Sequence, residues 1–226
     1  MTTLIVLPLR AELDLLSKAL SADGLRLDHA QAGRLPLAIV PELGASLAWG
    51  SHGKAQFALH TRHLLDHVAQ VDLVVCAGAG GALADGIAVG DIVIATRTIE
   101  HDYQQRFSQP QRPAPVFDGD AAAIRKLREV ITGPGFAVHF GQVASGDEDV
   151  VSSDRAQALR LATEALAVAW EGAGGARACA FSQTPYLEIR GVTDQATVDA
   201  PTHFEKNLAL AMRNIATLLS GWLRPR

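Results

Sequence analysis

Two apolar runs that each end on an acid constrain this chain more than any other feature. Leu166 to Trp170 leads to Glu171, and Tyr186 to Val192 leads to Asp194, with a small-residue segment, Gly172 to Phe181, between them. Runs of that length, bounded in that way, are what strands require, and the segment between them has room for a short helix. In a parallel sheet wrapped by helices, the carboxyl ends of neighbouring strands lie side by side, and ligands bind there. Glu171 and Asp194 are therefore expected to face one cleft. Acids at loop positions more often solvate or cap a turn, so the pair alone assigns no chemistry.

The remainder of the chain suits a fold of that kind. Its 226 residues contain no Pro/Gly/Ser-rich linker and no abrupt shift of charge, which predicts one α/β domain over 1-226 with a substantial core. Twenty basic against 24 acidic residues give a formal charge of −4, with no basic run to follow a phosphate backbone, so nucleic acid is not an expected partner. The apolar runs are of strand length, short of the ~20 residues that span a bilayer, and no basic stretch leads into a long apolar one at the amino terminus. A cytoplasmic protein with no membrane partner is expected. Cys76 and Cys179 both sit among small apolar residues, the setting of buried reduced thiols.

Leu4 to Leu7 reads as a strand that Pro8 ends, followed by a helix with Leu13, Leu16 and Leu20 on one face. Glu12 falls at the start of that helix, where an acid complements the positive helix end by at most about 1 kcal/mol. Leu35 to Val40 and Ala45 to Trp49 read as strands joined by a turn at Pro41 to Gly44. Gly50 to Lys54 breaks the pattern, and Ala58, Thr61, Leu64, Leu65 and Val68 mark a helix. Val71 to Ala77 is nearly continuous in apolar residues, as in a strand covered on both faces. Gly78-Ala79-Gly80-Gly81 then reads as a loop, which lets backbone approach a small ligand and aim N–H groups at an oxygen. It is not a dinucleotide site, because the third glycine of Gly-x-Gly-x-x-Gly would fall on Leu83.

Ile92 to Ala95 and Phe136 to Ala144 read as further strands. Glu100-His101-Asp102 is not expected to hold a metal, since neighbours along a strand point to opposite faces. Residues 108 to 118, with three prolines, read as a mobile loop and candidate lid. From Pro201 onward, Phe204, Leu208, Ala211, Ile215, Leu218 and Trp222 recur at helical spacing, a core-facing stripe.

Several of these segments also carry a resemblance. Trp170-Glu171-Gly172-Ala173-Gly174 together with Arg190-Gly191-Val192-Thr193-Asp194 resembles the paired signature of the nucleoside phosphorylase superfamily. It looks most like the 5'-methylthioadenosine/S-adenosylhomocysteine nucleosidase branch, with its Met-Glu-Gly-Ala-Ala and Arg-Ala-Ile-Ser-Asp segments. Val89-Gly90-Asp91 and Ser145-Gly146-Asp147 are similar to further family segments, as is Gly78-Ala79-Gly80-Gly81 to the family's Thr-Gly-Ser-Ala-Gly-Gly loop. Gly50-Ser51-His52-Gly53-Lys54 resembles the family's Gly-Ile-Gly-Lys element and is read as structural, packing the following helix on the sheet. The resemblance runs from Leu4 to about Leu219 and is weakest in residues 20 to 45 and 103 to 135.

What it implies is an α/β fold with a central mixed, largely parallel twisted sheet flanked by helices. The implied activity is a purine nucleoside N-ribosyl hydrolase acting on methylthioadenosine, S-adenosylhomocysteine or a related purine nucleoside, with no cofactor, in a homo-oligomer, expected to be a dimer. By resemblance Asp194 would protonate the leaving base, Glu171 would accept the ribose hydroxyls, and Glu12 would take a proton from water. Backbone groups near Ala79, Gly80 and Gly81 would hold water and sugar, and Phe204 sits where a family aromatic touches the ligand. Three departures leave the base open: Asp149 stands where the family has a base-stacking phenylalanine, Trp170 replaces the methionine and restores stacking area, and Ala169 replaces a glutamate. Phosphate-dependent phosphorolysis is the alternative, because Pro8-Leu9-Arg10-Ala11 also resembles the phosphorylases' phosphate-binding turn. Against it, the arginine those enzymes place before the glycine loop is absent from Val75-Cys76-Ala77. A non-catalytic nucleoside-binding protein is a third reading, although such a protein has no need of Glu12.

Overall fold

The computed structural model describes residues 2–105, 107, 110, 112–130 and 135–224. In chain order the elements are β1 (Thr3–Leu7), α1 (Arg10–Ala22), β2 (Asp28–Ala32), β3 (Leu35–Val40), β4 (Ala45–Trp49) and α2 (Lys54–His67). There follow β5 (Leu73–Ala82), β6 (Ile92–Glu100), β7 (Val116–Asp118), α3 (Ala121–Arg128), β8 (Val138–Ser145) and α4 (Ser153–Thr163). The chain closes with β9 (Ala165–Ala169), α5 (Gly172–Ser182), β10 (Tyr186–Asp194) and α6 (Ala200–Leu223). Among the described residues, no helix is long and apolar enough to cross a membrane.

The continuous apolar runs are explained by cover on both faces. Side chains alternate along a strand, so Ile5 and Leu7 of β1, Val75 and Ala77 of β5 and Leu187 and Ile189 of β10 pack under α1 and α6 against Leu16, Met212 and Ile215. Leu4, Val6, Val74 and Cys76 point the other way, onto Phe57 and Leu64 of α2 and Ala176 and Cys179 of α5. Each such fully buried large side chain contributes about 1.5–3 kcal/mol by leaving water. Both cysteines are buried free thiols, and burial pushes Cys179 up to about 12.

The sheet is mixed: β1 pairs in parallel with β4 and β5, β10 with β5, and β8 with β6 and β9, whereas β10–β6, β5–β9, β2–β3, β3–β4 and β6–β7 are antiparallel. Strands β5, β10, β6, β8 and β9 pair in a closed circuit, and β1, β4, β3 and β2 extend the sheet from β5. The mixed sheet is the expected one, and the closure of its circuit comes from β5, whose last two residues, Gly81 and Ala82, pair with β9. Gly78-Ala79-Gly80-Gly81 is therefore strand and not loop. A Cβ on Gly80 would sit 3.1 Å from the Val168 carbonyl oxygen, so the absent side chain lets β9 approach.

Four elements escape the apolar patterns: β2, a polar edge strand (Asp-His-Ala-Gln-Ala), and the short β7, α3 and α4. Of the expected loop over 108 to 118, Val116–Asp118 is a strand paired with β6, and residues 108, 109 and 111 lie outside the described residues. Glu100 and Asp102 face one cation, Lys54, whose Nζ lies 2.9 Å from Glu100 and also contacts Asp102.

Candidate active site

Three carboxylates from distant parts of the chain reach one cavity of about 500 Å³, at the ends of β5, β9 and β10 and the start of α1. All three are nearly sealed from solvent, with Glu12 2 %, Glu171 3 % and Asp194 7 % exposed.

Glu12 stands in the first turn of α1. Its Oε2 accepts the Leu9 N–H at 2.8 Å, the backward bond of a helix cap, and its Oε1 accepts the Ala79 N–H at 2.7 Å. Burial pushes this carboxyl up to about 7, against the pull of those two N–H donors and of the Arg190 charge. The local role of a helix-start acid and a place in the cavity therefore coexist in one side chain.

Asp194 owes its direction to a break in register. The pairing of β10 with β5 is regular through Val192–Gly80 and then skips to Asp194–Gly81, a bulge that turns the following side chain. Its Oδ1 accepts the Ala196 N–H at 2.9 Å, and its Oδ2 accepts the Thr193 hydroxyl at 2.8 Å. Gly81 opposite leaves room for this carboxylate, since a Cβ there would lie 2.8 Å from Asp194 Oδ1 and push it aside.

Glu171 ends β9 and opens α5. The Ser145 hydroxyl holds this turn, donating to the Trp170 carbonyl at 2.6 Å and accepting the Ala173 N–H at 2.8 Å. Glu171 Oε1 receives His52 Nδ1 at 3.0 Å and the Gly53 N–H at 3.2 Å, and Oε2 lies 3.7 Å from the Arg190 guanidinium. Arg190 is itself buried, paired with Glu188 at 2.7 Å and donating to the Ala79 carbonyl at 3.2 Å and to Cys76 Sγ at 3.3 Å. Thr98 donates to the other Glu188 oxygen. Burying two charges is tolerable only with this degree of mutual satisfaction.

The walls of the cavity include Ala79, Gly80, Gly81, Trp170 and Phe204, and Asp149 stands exposed at its edge beside Val150 and Val151. Phe204 also packs against the α6 side of the core, so its helical spacing and its place at the cavity are both real. Arg10 is not among the lining residues. It is exposed, with its guanidinium 4.0 Å over the Trp49 ring, a cation–π contact on the outer side of α1.

Of the lining residues that the sequence did not assign to a site, His52 and Arg190 contact Glu171. His52 belongs to a turn read as structural, and its ring stacks on Trp170 at 4.2 Å as well as meeting Glu171. Arg190 did carry a signal: Glu188 and Arg190 are two residues apart in an otherwise apolar run, hence on one face, where only a paired charge is stable.

Comparison with known proteins bears on the family and the fold. Residues 24–224 match the family model described as the phosphorylase superfamily. A 5'-methylthioadenosine/S-adenosylhomocysteine nucleosidase of Haemophilus influenzae (strain 86-028NP) is 30% identical over 178 residues, 76% of this chain and 76% of the relative. One of Staphylococcus haemolyticus (strain JCSC1435) is 27% identical over 179 residues, 76% of this chain and 78% of the relative. The crystal structure of the Neisseria meningitidis enzyme of that name, in complex with methylthio-immucillin-A, superposes with a TM-score of 0.85 at 29% identity, covering 99% of this chain and 98% of that one. Futalosine hydrolase of Helicobacter pylori strain 26695 shares the fold, with a TM-score of 0.86 at 22% identity and coverage of 98% and 97%. Since the family match runs through every strand of the closed circuit and through both acid-bearing strand ends, this chain belongs to the phosphorylase superfamily.

Proposed function

We propose that the protein is a purine nucleoside N-ribosyl hydrolase, a nucleosidase that cleaves the N-glycosidic bond with water. The observation that carries this reading is the convergence of Glu12, Glu171 and Asp194 on one cavity large enough for a small ligand. Cleavage needs a protonated leaving base, a sugar able to carry oxocarbenium character and a nucleophile on its far face. Asp194, held by Thr193 and Ala196, donates the proton to the base. Glu171 accepts the ribose hydroxyls and offsets the positive charge that develops on the sugar. Glu12, beside the Ala79 N–H, takes the proton from water. The cytoplasm is the setting this reading assigns, and a homodimer is its assembly; exposed Leu59 on α2 and Phe181 on the adjoining α5 supply apolar surface for a second copy.

Charge favours water over phosphate. The cavity is lined by the carboxylates Glu12, Glu148, Asp149, Glu171, Asp194 and Glu205, and among the described residues its only cationic or titratable basic side chains are His52 and Arg190. Arg190 is engaged by Glu188, Ala79, Cys76 and Glu171, and Arg10 by Trp49. A phosphate would enter a lining with more carboxylates than cations, and the cations present already have partners. Incubating the protein with a panel of purine nucleosides, with and without phosphate, tests this directly. Base release in phosphate-free buffer, with free ribose or a 5'-substituted ribose as the other product, is the expected result. Strict dependence on phosphate, with ribose 1-phosphate formed, would overturn it and make Arg10 a phosphate ligand.

The substrate class follows the nucleosidases above, whose names specify methylthioadenosine and S-adenosylhomocysteine. Asp149 adjusts it, because a carboxylate at the base side accepts hydrogen bonds and so favours purine edges that donate them. Asp149→Phe is expected to change the relative rates across the same panel, restoring preference to bases that gain from stacking. Unchanged ratios would show that Asp149 does not meet the base.

A further inference from the structure

The turn from β4 to α2 is bent in an unusual way. Ser51 has φ +70°, a left-handed conformation that residues with a side chain rarely adopt, and Gly53 follows with φ +83°. Such backbone persists where surrounding contacts over-determine it, and it clusters at functional sites. Here its result is specific: the His52 ring and the Gly53 N–H converge on the same oxygen, Glu171 Oε1, at 3.0 and 3.2 Å. From the other side, Asp147 anchors the turn by accepting the Lys54 N–H at 2.8 Å.

We infer that His52 is a positioning residue for Glu171, fixing the plane of its carboxylate and so the direction in which its second oxygen faces the ribose. The inference rests on the nucleosidase reading above. The terminal torsion of a glutamate is broad, so burial alone does not fix the plane of the carboxylate. Two donors on one oxygen do fix it. They leave Oε2, whose nearest cation is Arg190 at 3.7 Å, as the oxygen free to accept from sugar hydroxyls. Trp170 holds His52 in turn, its ring at 4.2 Å and 30° to the imidazole plane. The residue before Glu171 thus clamps the residue that orients Glu171.

A carboxylate accepts, so Nδ1 must carry a hydrogen, which both the imidazolium and one neutral tautomer provide. The bond to Glu171 raises the basicity of the ring, and Asp149 and Asp147 act in the same direction. What the reaction needs from His52 is therefore a donor at the Nδ1 position, present on both sides of its titration.

Substitution distinguishes this from a structural role. In His52→Asn the amide nitrogen reaches the Nδ1 position, whereas in His52→Gln it reaches the Nε2 position. With the best nucleoside of the panel, Asn is expected to stay within about threefold of the parent in kcat/KM, while Gln and Leu raise KM about tenfold with kcat within about threefold, the signature of lost uniform binding from one hydrogen bond to a charged group. In a Glu171→Gln background, His52→Leu should add no more than about twofold, because the oxygen it positioned is gone. If Leu fails to fold, the Asn and Gln variants decide the matter alone. Equal losses in Asn and Gln, a KM unchanged by Gln or Leu, or full additivity with Glu171→Gln would each overturn the inference. A parent protein that cleaves no nucleoside would instead overturn the nucleosidase reading, a separate outcome.

Discussion

Asp194→Asn is expected to lose about 100-fold or more in turnover while still binding an unreactive nucleoside analogue. The substitution preserves the local structure. Asparagine Oδ1 can keep the Ala196 N–H, and the Thr193 hydroxyl, which now donates to Oδ2, can rotate to accept from the new amide. Size, burial and the bulge opposite Gly81 are unchanged. Only the transferable proton is removed, so a leaving base must depart unprotonated. Thermal melting measured beside activity decides the issue. An Asp194→Asn protein that melts like the parent and still cleaves its best nucleoside at a near-parental rate would mean that Asp194 is structural and that the mechanism argued above is wrong.

The second large effect belongs to Glu12. Its carboxyl is pushed up to about 7 by burial, and only the ionised form can take a proton from water. The free enzyme should therefore show kcat/KM rising about tenfold per pH unit below pH 7 and levelling above it. Glu12→Gln should lower kcat/KM by about 100-fold or more above pH 7 and abolish that limb, since no base remains to titrate. Stability runs the opposite way. A folded-state pKa above the ordinary 4.5 means that the native protein holds this proton more tightly than the unfolded chain. The associated stability is complete below about 4.5 and is lost as pH rises through 7, so activity increases where this side chain stabilises the fold least. A pH–rate profile of parent and variant measures the effect. A limb that persists in Glu12→Gln would assign the titration to another group and remove Glu12 as the base.

Arg190 and Glu188 show how such a site is tolerated inside the core. Both are buried, and the pair is compensated by Thr98 of β6 and by Ala79 and Cys76 of β5. Removing one partner from a buried pair costs about 3–5 kcal/mol, because it leaves the other charge unmatched.

Much of this arrangement was legible in the linear sequence. Continuous apolar runs at Leu4 to Leu7 and Val71 to Ala77 required strands covered on both faces, and the acids closing Leu166 to Trp170 and Tyr186 to Val192 had to emerge at strand ends. Period and burial are local properties, and a strand records them residue by residue. Closure of the strand circuit was not recorded in that way. It depends on Gly81 and Ala82 of β5 meeting β9, a pairing across more than eighty residues that glycine permits but does not announce. The same distance hid the Ala79 N–H that holds Glu12 and the His52 ring that holds Glu171, because a hydrogen bond between remote segments leaves no periodicity in either. Arg10 shows the converse. Its neighbours suggested phosphate, and the phase of α1 carried its guanidinium instead onto Trp49, a ring delivered by a strand thirty-nine residues later. Burial patterns and the acids that end strands can thus be read along the chain, whereas which of those acids meet depends on the path of the chain between them.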